Sequence, residues 1–90
     1  MYLYNMEYVI FIKKECPYSK DGIKLIKSKK KRYRKFDVNE FGGKEKVIKI
    51  MKKLGYIGKK INHNTVPIIF ENGKFIGGYE ELKTKLKKKV

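Results

Sequence analysis

Cys16 is the only cysteine in the 90 residues, and it opens the tetrad Cys16-Pro17-Tyr18-Ser19, after the apolar run Tyr8-Val9-Ile10-Phe11-Ile12 and before a helical pattern. Backbone N–H groups in the first turn of a helix lack an intrahelical partner and carry partial positive charge, so a sulfur placed there is favoured as the thiolate, the form that attacks disulfides. Pro17 suits the first helical position, where its missing N–H costs nothing. Ser19 lies one turn along, where its hydroxyl can donate to the sulfur or act as an ordinary first-turn serine. Burial as an inert small hydrophobe is the commoner fate of a free cysteine, and the strand-to-helix junction argues against it here. With one cysteine no internal disulfide can form, and a free thiol fits a reducing compartment. His63, the sole histidine, has no partners at metal-ligand spacing and reads as a loop residue, so no metal site is expected.

The elements that must position this sulfur are legible in outline. Residues 8–13 read as a buried strand, a short apolar run rich in β-branched and aromatic side chains. From Pro17 to about Ser28, Ile23, Leu25 and Ile26 alternate with Lys20, Lys24 and Lys27, the pattern of a one-sided helix, with Gly22 marking close packing inside it. Residues 33–38 alternate as a second strand, whose charges suit a sheet edge. Gly42-Gly43 breaks the chain before a second helix, with Val47, Ile50, Met51 and Leu54 on one side and Gly55 as its stop. A loop follows over 56–64. Val66 to Glu71 is a third strand, Asn72-Gly73 a hairpin turn, and Lys74-Phe75-Ile76 the returning strand. After Gly77-Gly78 a last helix begins with Glu80 and Glu81 in its first turn, Leu82 and Leu86 on one side and lysines at its end. The first β-α-β should be a right-handed parallel unit.

At 90 residues the chain is expected to be one domain over 1–90, with room for one small layered fold and one site. The formal charge of +15 attracts anions of every kind, glutathione, acidic proteins and nucleic acid included. Abundant Lys, Ile, Asn and Tyr with no Ala, Gln or Trp is the usage of an AT-rich coding sequence, so composition accounts for most of that charge. The basic run Lys27 to Lys35 is interleaved with a helix end and a strand and reads as a solvated face, so no nucleic-acid partner is expected. No apolar run approaches membrane-spanning length, and Met1 to Glu7 lacks a basic region followed by an apolar stretch. A soluble, cytoplasmic monomer without a membrane partner is the expectation.

Taken together, in order and on the right elements, Lys13 three residues before the cysteine, Cys16-Pro17-Tyr18-Ser19, Thr65-Val66-Pro67 and Gly77-Gly78 resemble the glutaredoxin family over nearly the whole chain. The resemblance implies an α/β thioredoxin-like fold, a four-stranded mixed sheet in the order β-α-β-α-β-β-α with helices on both faces. It implies Cys16 as the nucleophile and a cis bond before Pro67, aiming the Val66 backbone at a peptide-like ligand. In the family, glutathione lies across such a site. Carried over, Lys13 would take its glycyl carboxylate and the Tyr18 ring would wall the site. The turn Thr65, Val66 and Pro67 would border it, with the Val66 N–H and C=O pairing its backbone, and Gly78, Tyr79 and Glu80 would hold its γ-glutamyl end. Relatives often carry a further Gln or basic residue for the glycyl end; here Lys49 and Asn64 are the candidates.

Ser19 stands where a dithiol enzyme has its resolving cysteine, which leaves the monothiol route: reduction of glutathione mixed disulfides, or deglutathionylation, by a glutathione-dependent oxidoreductase acting on glutathionylated proteins. Two alternatives stay open. One is a two-iron two-sulfur cluster held between two protomers by Cys16 and glutathione, against which Pro17-Tyr18 stands where cluster-handling relatives have Gly-Phe. The other is a basic binding module without turnover, which a steep salt dependence would reveal.

Overall fold

The computed structural model describes residues 7–87. The reading of residues 1–6 as free of an export segment, and the lysines 88 and 89 at the end of the last helix, lie outside the described residues. Four strands, β1 (Glu7–Ile12), β2 (Arg32–Asp37), β3 (Ile68–Glu71) and β4 (Lys74–Gly77), form one sheet in the order β2-β1-β3-β4. The helices are α1 (Pro17–Ser28), α2 (Lys44–Leu54) and α3 (Tyr79–Lys87), with a 3₁₀ turn over Val38–Phe41. β1 runs parallel to β2, as a crossover through α1 requires, and antiparallel to β3, which pairs antiparallel with β4. This is the thioredoxin-like fold with its four-stranded mixed sheet.

Period-two alternation sends β1 and β3 side chains to opposite faces, and both faces are covered. On one, Phe11, Ile68 and Phe70 pack with Val38, Ile57 and the α2 residues Val47 and Ile48. On the other, Tyr8, Ile10 and Ile69 pack with Ile26 of α1 and Leu82 and Leu86 of α3. Gly22 explains how closely α1 can sit: a Cβ there would meet Ile10 Cδ1 at 3.2 Å and Pro67 Cγ at 3.6 Å. Charged β2 is at the sheet edge, where its side chains keep water.

Strand ends differ from the sequence reading: β1 runs Glu7–Ile12 rather than 8–13, and β4 reaches Gly77. β2 runs from Arg32 to Asp37, and Val38 leaves it for the 3₁₀ turn, because the Asp37 carboxylate accepts from the Asn39 N–H at 2.8 Å and bends the chain. β3 starts at Ile68, since Pro67 has no N–H to give the ladder. The Asn72-Gly73 turn is as expected, with φ of +50° and +84°. Among the described residues no helix is long and apolar enough to cross a membrane.

Candidate functional site

The site lies where the β1–α1 junction, the turn before β3 and the start of α3 meet. Cys16 is the N-cap residue of α1, with extended backbone (φ −81°, ψ 121°) and Pro17 next. Its N–H donates to the Lys13 carbonyl at 2.9 Å, and its own carbonyl accepts from Ser19 N–H at 3.1 Å and Lys20 N–H at 3.3 Å. The sulfur is therefore fixed from the backbone on both sides and is half-buried. Its Sγ lies 4.0 Å from the Val66 carbonyl oxygen, across a cis Val66–Pro67 peptide bond from buried Pro67.

Ser19 is 1% exposed, and its Oγ accepts the Lys13 N–H at 3.2 Å. The hydroxyl thus closes the junction loop onto the first turn of α1. That contact supports an anchoring role, and its remaining proton is what the hydroxyl has to offer the sulfur. Tyr18 is 56% exposed, and its ring faces that of Tyr79 at a centroid separation of 6.0 Å, tilted by 36°. The starts of α1 and α3 thereby form one aromatic wall.

Gly77 and Gly78 bring the backbone close to this wall. Gly77 adopts φ +132°, and a Cβ on it would stand 2.7 Å from Glu81 Cγ, so no larger residue fits without displacing Glu81. Gly78 is buried, and a Cβ there would meet His63 Cε1 at 3.2 Å and the Pro67 carbonyl at 3.4 Å. Its N–H donates to Glu81 Oε1 at 2.8 Å, and its carbonyl accepts the first helical bond from Leu82 N–H at 3.0 Å. The sequence reading placed Glu81 in the first turn of the last helix and missed that it caps Gly78. Its position three residues after the helix-opening Gly78 is the spacing at which a carboxylate reaches back to the N-cap N–H, and that spacing was the available signal. With Gly78 N–H occupied, the N–H groups of Tyr79 and Glu80 remain as first-turn donors for an anion.

Thus Cys16, Tyr18, Ser19, Val66, Pro67, Gly78 and Tyr79 converge through direct contacts. Lys13, Thr65 and Glu80 are exposed, on the junction loop, the turn before β3 and the first turn of α3. Lys49 and Asn64 are also exposed, and no contact ties either one to the sulfur. No cluster of three or more His, Cys, Asp or Glu able to hold a metal ion is present among the described residues.

A cysteine at a helix start facing a proline-turn carbonyl is an arrangement for thiol exchange, and the comparisons with known proteins agree. A probable glutaredoxin of Acanthamoeba polyphaga mimivirus is 30% identical over 77 residues, covering 83% of this chain and 73% of the relative. Glutaredoxin 1 of Francisella tularensis, solved in complex with cacodylate, superposes with a TM-score of 0.77 at 25% identity, over 92% of this chain and 94% of that one. The dithiolic glutaredoxin of Trypanosoma brucei brucei gives 0.69 at 31% identity, over 89% and 76%. The family model for glutaredoxin matches residues 8–76, from the second residue of β1 into β4. With the site's geometry and these likenesses in agreement, the chain belongs to the glutaredoxin family of thiol oxidoreductases.

Proposed function

We propose that this protein is a glutathione-dependent monothiol oxidoreductase that reduces glutathione mixed disulfides. The observation that carries the reading is the lone sulfur of Cys16 set 4.0 Å from the Val66 carbonyl, with Ser19 in the tetrad's fourth place and buried against the junction loop. Glutaredoxins use glutathione, and here glutathione acts as a substrate. The cradle supports the fit: Gly78 puts no side chain between the start of α3 and the Pro67 turn, and the N–H groups of Tyr79 and Glu80, in the first turn of α3, have no intrahelical carbonyl to donate to.

In the proposed cycle the Cys16 thiolate attacks the glutathione sulfur of a mixed disulfide R–S–S–G. The S–S bond breaks, RS⁻ leaves and takes up a proton, and a Cys16–S–S–G bond has formed. The thiolate of a second glutathione attacks that glutathione sulfur, releasing oxidised glutathione and returning Cys16 as thiolate. No resolving cysteine takes part. Orientation comes from the chain: Val66 backbone groups pair the ligand as an added strand would, the Tyr18–Tyr79 wall borders it, Gly78 with Tyr79 and Glu80 receives the glutamyl end, and Lys13 the glycyl carboxylate. A cytoplasmic setting, where glutathione is plentiful and thiols stay reduced, belongs to the same proposal.

Turnover of a glutathionylated peptide with glutathione, glutathione reductase and NADPH tests it. Wild type is expected to saturate and Cys16→Ser to be dead. An inactive wild type would overturn the reading, and if that protein were brown and dimeric the site would be holding an iron–sulfur cluster instead.

A further inference from the structure

The mechanism leaves one group in the neighbourhood without a task. His63 belongs to the loop between α2 and β3, is half-buried, and its Nε2 is the one buried side-chain nitrogen or oxygen without a hydrogen-bond partner among the described residues. Burying an unpaired polar atom is unfavourable, so the ring is held there by what it packs against. It stacks T-shaped with Phe75 in β4, with centroids 5.3 Å apart and planes at 74°. Its Cε1 lies 3.2 Å from where a side chain on Gly78 would begin, beside the Pro67 carbonyl at 3.4 Å and Glu81 Oε1 at 3.6 Å from the same point. One imidazole therefore joins three segments of the site: the loop leading to Pro67, strand β4, and the start of α3.

We propose that His63 is a positioning residue, whose ring fills the space left by the missing side chain of Gly78 and sets the backbone platform of Gly78 to Glu80 against the Pro67 turn. Its effect on turnover rests on the reading of that platform as the glutamyl anchor. The ring's contacts run to Phe75 and the Gly78 platform, away from the exchange chemistry of Cys16, so its removal loosens binding and spares the exchange step.

The test compares wild type, His63→Ala and His63→Phe as full chains. Amide exchange by NMR reports on Gly78 and Leu82, whose N–H groups donate to Glu81 Oε1 and the Gly78 carbonyl. Steady-state kinetics with a glutathionylated peptide give KM and kcat separately. In His63→Ala, protection at Gly78 and Leu82 is expected to fall about tenfold while that of Ile10 in β1 holds. KM should rise about fivefold with kcat little changed. His63→Phe, which returns a ring to the gap, should restore both. Wild-type protection and KM in His63→Ala, equal loss of protection at Ile10, or a His63→Phe protein resembling His63→Ala would each overturn the proposal. Should His63→Ala not fold, His63→Ser, which also empties the gap, supplies the same contrast. A wild type that fails to saturate with the peptide sinks the glutathione reading alone, and the exchange data still decide the role of His63.

Discussion

At the scale of single residues, the site depends on side chains that are small or absent. Ser19 holds the junction loop by one part-buried hydrogen bond from Lys13 N–H. Ser19→Ala should cost about 1 kcal/mol, because the N–H loses its acceptor, and a lower urea midpoint with unchanged slope would show it. Gly77→Ala meets both a left-handed backbone and the Glu81 side chain at 2.7 Å, so a loss of about 1–3 kcal/mol is expected. Glu81→Ala on that background should recover part of it, and additive effects in the double-mutant cycle would show that the clash is not the cause. Cys16 and the glycine pair could be read from residue type and spacing. Ser19's burial could not, since no periodicity reveals that a small polar residue faces inward. Nor could the ring contact of His63 with Gly78, which joins residues on different elements.

At the scale of elements, the sequence reading found the four strands and three α-helices, misplaced strand ends by a residue or two, and missed the 3₁₀ turn over Val38–Phe41. Two of the errors fall where a side chain overrides the pattern, at the Asp37 carboxylate and at Pro67. Helical and alternating periods report which face is buried, and they say nothing of which elements are tied by a polar contact inside the core. One such tie joins β1, β3 and α3: the Tyr8 hydroxyl donates to Glu71 Oε2 at 3.0 Å, and Lys85 Nζ stands 3.2 Å from Glu71 Oε1. Burial foremost, then the hydrogen bond and negative charge of Glu71, push Tyr8 up to about 12 from an ordinary 10.0. Unfolded Tyr8 ionises first, so its contribution to stability is complete below pH 10 and is lost as pH climbs through 12. Denaturation at pH 9 and pH 11 should therefore show a steeper alkaline loss for wild type than for Tyr8→Phe, and equal losses would contradict the assigned cause.

At the scale of the whole molecule, a formal charge of +15 on 90 residues makes self-repulsion a term in every measurement. Tm should rise between about 10 and 200 mM salt as the field is screened. A Tm that falls over that range would mean that the lysines are balanced by ion pairs. The chain's connectivity carries a last consequence, for the order of assembly. β1, α1 and β2 are consecutive and close a local unit, whereas Tyr8 and Glu71, which bind β1 to β3, are 63 residues apart in the chain. Contacts of short loop closure form before distant ones. The sulfur therefore belongs to the half that condenses early, and Val66 and Gly78 to the half that arrives late. During refolding Cys16 should pass through a stage as a plain, unselective thiol, open to pulse alkylation, before the late half supplies the surface that tells one disulfide from another.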